Sequence, residues 1–337
     1  MDILEWVNKE LNPESSTTDR FIYDDMDSQS EYCLPIIYEP FDATRKSHWT
    51  DRGSMFDYLL STHGEGKLLM DFGPGDGWPS LIVAPYVSKV IGVEGSTRRA
   101  QVCTENAARL GISNAEFIYV PKGSPLPFKN NMFDGIMAAT SVEQSLDPKS
   151  TLKELFRVLK PDGRLRIAYE SLEVYRNGHE RDMWLHPVDD HKCIMILFDR
   201  DIDKENAVQY SVTFSFSAKE IRNIFSGDDS PVTFDKINVP LLESLRSSVT
   251  DCRVCRTVHP SGKTLVSWLR EIGFGEIIPS QNGAWITGRL FDILPEETRP
   301  GTLSEIDEYL KPVIQAVVDM HAPVETDPMI TAIKTVG

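Results

Sequence analysis

No stretch of this sequence stays apolar for the roughly 18 residues that a membrane-spanning helix needs; the longest comparable run covers only residues 193–198. The opening MDILEWVNKELNPESS has neither a cationic start nor an apolar signal core, so no secretory address is expected. Cysteine is scarce and odd in number, at Cys33, Cys103, Cys193, Cys252 and Cys255. That set fits reduced thiols better than a disulfide framework, and a cytoplasmic location is the expectation. Positive charge is also short: 35 Lys and Arg against 51 Asp and Glu leave a formal charge of −16. Such a surface repels polyanions, so nucleic acid and anionic membrane are not expected partners. The nearest thing to a basic patch is Arg98 and Arg99, which the local pattern assigns to a helix. There is no internal repeat and no low-complexity tract.

What is present is a globular composition, 41% hydrophobic and 26% charged over 337 residues. That length can bury a full core, either as two domains or as one with an insertion. The spacing predicts a helix over residues 3–11 and another over 51–61. Residues 67–72 are too uniformly apolar to alternate faces and read as a buried parallel strand. Strand and helix then alternate: a short helix over 81–86 limited by Pro85, a strand over 87–93, a helix over 98–110 ended by Gly111, strands over 117–120 and 133–138. A helix over 152–159 stops at a KPDG turn before a strand over 165–169. Alternation of this kind means a parallel sheet covered on both faces. Between 171 and 260 the rhythm breaks, although VQYSVTFSFS (208–217) alternates as an antiparallel strand does and 218–225 reads as a helix. It resumes with a helix over 264–272, a strand over 274–279 and a last strand over 284–294. A helix over 303–320 and a loose tail follow.

The densest signal is LLMDFGPGDGWPSL (68–81), where an apolar run ends in Asp71 and meets Gly73, Gly75 and Gly77 at alternate positions. Glycines after a buried strand let a ligand approach bare backbone, and a helix opening there presents unpaired amides. Glu94 follows 19 residues after Gly75. At the end of the second strand a carboxylate there can accept hydrogen bonds from both hydroxyls of a ribose. A pyrophosphate cofactor favours G-x-G-x-x-G, whereas this pattern is D-x-G-x-G-x-G, without the third glycine in that place.

Four segments in order, LLMDFGPGDG, VIGVEGS (90–96), PLPFKNNMFDGIMAAT (125–140) and LKELFRVLKPDGRLRIAYE (152–170), resemble class I S-adenosylmethionine-dependent methyltransferases, most closely the UbiE-like branch. With 264–294 included, the likeness covers about two-thirds of the chain. It implies an α/β, three-layer Rossmann-like fold with a mostly parallel seven-stranded sheet, an inserted lid and helical terminal extensions. The expected divisions are a helical cover at 1–60, a methyltransferase domain at 61–294 with its lid at 171–260, and a C-terminal helix and tail at 295–337. The cofactor implied is S-adenosyl-L-methionine, held by Asp71, Phe72, Gly73, Pro74, Gly75, Gly77, Glu94, Gly95, Ser96, Gly123, Ser124 and Thr140. Asp71 is expected to order the turn and the cofactor's amino group, or to cap the next helix. One place departs from the family: Lys122 stands where an acid often accepts from the adenine amine. Ser124 or a backbone carbonyl then supplies that contact, or the register is shifted there.

Methyl transfer is an in-line displacement that needs alignment more than a marked catalytic residue. The acceptor is expected over Thr140, Glu143, Gln144 and Glu170, with Glu170 and His186 as the catalytic pair. HERDMWLHPVDDH (179–191) also offers His179, Asp189, Asp190 and His191, either as a base or metal-assisted site or as a solvated loop around a buried Trp184. CRVCRTVH (252–259) offers Cys252, Cys255 and His259. Lacking a second pair, it is expected to hold no metal and to be a loop with two reduced thiols. The function expected is methylation of a small-molecule acceptor. A silent cofactor-binding regulator or scaffold and a nicotinamide oxidoreductase are the alternatives.

Overall fold

A computed structural model describes residues 1–16, 40–169, 178–201, 203–227, 232–321 and 329–335. Contacts divide the chain into two units, one of Met1–Glu31 with Leu172–Ser261 and one of Tyr32–Ser171 with Gly262–Gly337. This partition differs from the expected one: the first residues share a unit with the segment expected to be a lid. Strands are numbered along the chain.

In the larger unit, β2 (Leu68–Phe72) pairs in parallel with β3 (Lys89–Glu94) and β5 (Phe133–Ala139). Its centre is fully buried at Leu69, Met70 and Asp71, which is why the segment reads as apolar without alternation. β4 (Ala115–Tyr119) continues the sheet beyond β3, and β6 (Leu159–Ala168) lies in parallel beside β5. β11 (Glu276–Ser280) and β12 (Met329–Ile333) complete the seven-stranded order β4-β3-β2-β5-β6-β12-β11, with β12 antiparallel to both neighbours. The order reverses between β2 and β5, so the carboxyl ends of these strands open the crevice where such sheets bind ligands.

Helices cover both faces, giving the three layers expected. Met70, Ile136, Leu165 and Ile167 pack with Leu152, Leu155, Leu265 and Leu269 from the Pro148–Val158 and Gly262–Ile272 helices. Leu69, Val90 and Met137 point the other way and pack with Met55, Leu59, Ile306 and Leu310. The latter come from the Lys46–Ser61 and Leu303–Met320 helices.

The segment expected as a final strand over 284–294 is instead the helix Gly283–Ile293, capped by Asn282, whose carboxamide oxygen accepts from the Ala284 amide at 2.7 Å. It crosses the Lys46–Ser61 helix with no room for a side chain: a Cβ on Gly283 would collide with the Gly53 carbonyl. Asp57 and Arg166, each 1% exposed at the side chain, form a two-pronged ion pair at 2.7 and 2.9 Å. Arg166 also donates to Ser280 and Thr331, and Asp57 accepts from the Gly283 amide, so one pair ties two helices and three strands.

The smaller unit is a five-stranded sheet, β1 (Glu14–Ser15), β10 (Val249–Val258), β9 (Asn206–Phe214), β8 (Lys192–Asp201) and β7 (His179–Asp189) in that order. It is antiparallel except where β1 joins β10. One face carries Met183, Met195, Leu197, Val212 and Phe214 against Ile221, Phe225, Leu242, Trp6 and Val7. The helical turns at 3–11 therefore belong to this core. Trp6 is 1% exposed, and its indole donates to the Glu243 carboxylate at 2.9 Å.

Candidate active site

The glycine turn lies at the carboxyl end of β2. The Gly73 amide donates to the Val93 carbonyl at 2.9 Å, tying the turn to β3. Gly73 and Gly75 have φ of +73° and +64°, a region that side chains disfavour. A Cβ on Gly73 would stand 2.6 Å from Cβ of Ser141, whose hydroxyl donates to the Phe72 carbonyl across the reversal point. Pro74 accepts from the Gly77 amide at 2.8 Å, closing the turn into the short Ser80–Val83 helix.

Asp71 is fully buried. Its Oδ2 accepts from the Ser80 amide and hydroxyl at 3.1 and 2.7 Å, the helix-securing role expected as one of two. Its Oδ1 has no partner among the described residues. Burial pushes this carboxyl up to about 8, helped by nearby Glu94 and opposed by the Ser80 bonds.

Glu94, 1% exposed at the end of β3, faces the same turn. Its Oε2 accepts from the Gly75 amide at 3.0 Å, and its Oε1 from the Gly95 and Ser96 amides at 2.8 and 3.2 Å. Burial raises its pKa, against Arg99 and those three amides, which favour the carboxylate. Three bonds use most of a carboxylate's roughly four acceptor positions. A diol on both oxygens would therefore displace the Gly95 or the Ser96 amide, because Oε1 already holds two bonds and Oε2 only one. The glycine cradle, the unpartnered Asp71 oxygen and this acceptor fit S-adenosylmethionine: bare backbone and an acceptor for its amino-acid end, a carboxylate for its ribose.

Ser96 caps the Thr97–Arg109 helix, its hydroxyl accepting from the Arg99 amide at 3.2 Å. Gly95 is covered by the Lys122 stem; a Cβ there would come within 2.9 Å of it. The Lys122 ammonium donates to the Gln144 carbonyl at 3.4 Å, so the residue at the family's acidic position spans the mouth instead of accepting. Gly123 and Ser124 are exposed beside it. Thr140, also exposed, takes φ +47° where β5 ends, and its carbonyl accepts from the Gln144 side chain at 2.7 Å. Glu143 is 5% exposed. Burial, followed by the charges of Asp57 and Asp71, raises the Tyr58 phenol, with Glu143 adding to the effect.

Sequence reasoning missed several of these groups. Arg99, Cys103 and Asn106 recur at helical spacing on one face of their helix. Cys103 donates to the Gly75 carbonyl at 3.3 Å, and the Asn106 side chain to the Asp76 carbonyl at 2.9 Å. The spacing itself was the available signal.

Of the expected catalytic pair, Glu170 lies outside the described residues. His186 sits on β7 in the smaller unit, opposite Ile194. Its segment is a strand, not a loop, and Trp184 is 62% exposed rather than buried. His179 pairs with Asp199 at 2.5 Å, while Asp189 accepts from the His191 amide at 2.7 Å in the Asp189–Lys192 turn. Cys252 and Cys255 lie on β10, not on a loop, opposite Val212 and Gln209. Three residues apart on a strand, they point to opposite faces and cannot share an ion. Burial pushes the Cys252 thiol up to about 12, so it is an inert packing group. His259 is buried and its amide donates to the Glu205 carbonyl. No helix among the described residues is long and apolar enough to cross a membrane.

Residues 70–167 match the family model described as "Methyltransferase domain". The chain is 33% identical over 99 residues to the uncharacterized methyltransferase YcgJ of Bacillus subtilis, covering 29% of this chain and 39% of that protein. It is 29% identical over 118 residues to a demethylmenaquinone methyltransferase of Clavibacter sepedonicus, covering 34% and 47%. To the ubiquinone/menaquinone C-methyltransferase UbiE of Wigglesworthia glossinidia brevipalpis it is 26% identical over 113 residues, covering 33% and 45%. The chain thus spans less than half the length of these curated relatives. A solved S-adenosylmethionine-dependent methyltransferase from Clostridium acetobutylicum aligns with 86% of this chain and 91% of its own at 11% identity and a TM-score of 0.48. The matched segment runs from the buried core of β2 to the end of β6 and includes the glycine turn and Glu94. Through it the chain carries a match to a methyltransferase domain and is similar to UbiE-like S-adenosylmethionine-dependent methyltransferases.

Proposed function

We propose that the chain transfers a methyl group from S-adenosylmethionine to a small apolar acceptor. The observation that carries this reading is the buried Glu94 carboxylate facing the Gly73–Gly77 turn across the sheet's reversal point. Relatives named for demethylmenaquinone and sterol methylation support the acceptor class.

When bound, the cofactor supplies a methyl group activated on a sulfonium. The chain's own residues would then bind and align. Glu94 would receive the ribose hydroxyls, and the open Asp71 oxygen would take the amino group, directly or through water. Gly95, Ser96, Gly123 and Ser124 would flank the adenosine. Thr140, Glu143 and Gln144 lie where β5 ends and would border the acceptor. Glu170 and His186 remain in the proposal as the residues that move a proton. Binding both partners side by side converts a bimolecular collision into an aligned displacement.

Calorimetry tests the site. Glu94→Ala and Gly75→Val should each weaken S-adenosylmethionine binding by roughly tenfold or more, about 1.4 kcal/mol. Unchanged affinity in both would overturn the assignment. Purified protein given a labelled methyl donor and a pool of small metabolites should label one of them. Tight binding without transfer to any acceptor would favour a regulator instead.

A further inference from the structure

We propose that Arg99 is a positioning residue for Glu94: its guanidinium, lying over Gly75, is the counter-charge that lets a buried carboxylate receive a ribose diol. This rests on the cofactor reading above and concerns a residue that the sequence offered only as part of a helix.

The geometry is local and closed. Arg99 is the third residue of the Thr97–Arg109 helix, and its amide is held by the Ser96 hydroxyl, which fixes the first turn. Its Nη1 stands 3.1 Å from where a Cβ of Gly75 would be, and the Gly75 amide is 3.0 Å from Glu94 Oε2. Gly75 thus lies between guanidinium and carboxylate. Other charged and polar groups surround this place, among them Lys122, whose stem packs on Gly95 and whose ammonium donates to the Gln144 carbonyl. Asp71 on β2 and Cys103, a neutral buried thiol one turn along Arg99's own helix, both feel the charge of Glu94, while Arg99 also holds Asp76 in the turn down against its burial. Arg99 favours the ionised form of Glu94, against the burial that disfavours it.

The consequence is chemical. A carboxylate taken out of water reverts to the neutral acid unless a partner charge or hydrogen bonds hold it. A neutral acid donates one hydrogen and loses acceptor capacity, so it cannot accept from two hydroxyls on both oxygens. Three amides already favour the anion, but a bound diol displaces one of the two on Oε1. At that moment Arg99 is the charge that keeps the anion.

The test is binding of S-adenosylhomocysteine by calorimetry between pH 6 and 8.5, for the wild type, Arg99→Gln and Arg99→Lys. Glu94's folded pKa is already raised, and removing Arg99 raises it further, so the anion is lost as pH falls. Arg99→Gln should bind roughly tenfold or more weakly at pH 6 and recover as pH rises, gaining about tenfold for each pH unit until Glu94 is ionised. The wild type should be flatter over the same range, and Arg99→Lys should stay near it. Asp71 titrates in all three proteins and cancels in the comparison. Asp76, which Arg99 also holds down, is taken out of it by repeating the series in an Asp76→Asn background. The slope should persist there, and its loss would overturn the proposal. Wild-type affinity and slope in Arg99→Gln would overturn the proposal. So would a loss that is the same at every pH, which would mark Arg99 as a matter of shape. If Arg99→Gln melts early, Arg99→Met keeps the stem's packing and should show the same slope; a flat profile there overturns the proposal too. A wild type that binds no S-adenosylhomocysteine at any pH would remove the underlying cofactor reading instead.

Discussion

The two sheets of this molecule are built from similar residues but carry different amounts of information. Each central strand of the larger unit is buried on both faces, so its sequence is a short apolar block bounded by glycine or charge. β2 and β5 are of this type, and both stand out in the sequence. The smaller unit's sheet has one face in its own core and β7 at its edge, where charged and bulky polar residues mix with apolar ones. Met183 and Leu185 join the core while Trp184 between them points outward. The lesson is that a strand is most visible when water reaches neither of its faces.

The units also differ in what locks them. The larger one is cross-tied by the buried Asp57–Arg166 pair, whereas the smaller one relies on Trp6 reaching over its sheet. Arg166→Met should have the largest effect. It leaves the Asp57 carboxylate buried without its partner and should cost about 3–5 kcal/mol, read by urea unfolding. A loss under about 1 kcal/mol would mean that the pair is dispensable. Trp6→Ala should remove about 3 kcal/mol from the smaller unit. Hydrogen exchange should show faster opening in β8–β10 with β2 and β5 unchanged, and S-adenosylhomocysteine affinity should not move. Equal loosening of both sheets would erase the distinction between the units.

The effect that is smallest at each step of one pH unit is a dependence on acidity. Asp71's folded pKa of about 8 lies above its ordinary value of 3.8, so the folded state holds the proton more tightly than the unfolded chain. That contribution is fully present below about pH 4 and is lost as pH rises towards 8. Asp71→Asn should therefore flatten the decline in stability between pH 5 and 8, by at most about 1.4 kcal/mol for each step of one pH unit. Parallel curves for the two proteins would show that Asp71 is ionised throughout.

The glycine turn, Glu94 and the strand–helix order are legible because each follows from local chemistry. The failures have local causes as well. Residues 284–294 are apolar enough to pass for a strand, but Asn282 caps them and Gly283 lets them press on Gly53, which favours a helix. β12, the short MITAI, gives little periodic signal and owes its place to pairing with β6 and β11. Pro187 argues against a strand over 179–191; it is tolerated because β7 is an edge. Arg99 is assignable to a helix from its neighbours, yet only the fold brings that helix over Gly75.

The indole of Trp6 meets Glu243 across 237 positions of chain, and β1 finds its neighbour only in β10. At a synthesis rate of roughly 5–20 residues per second, the first helical turns wait on the order of 12–50 s for the partner that shelters them. During that interval Leu4, Trp6 and Val7 face water or a chaperone. The smaller unit therefore closes only after β2 to β6 have been made.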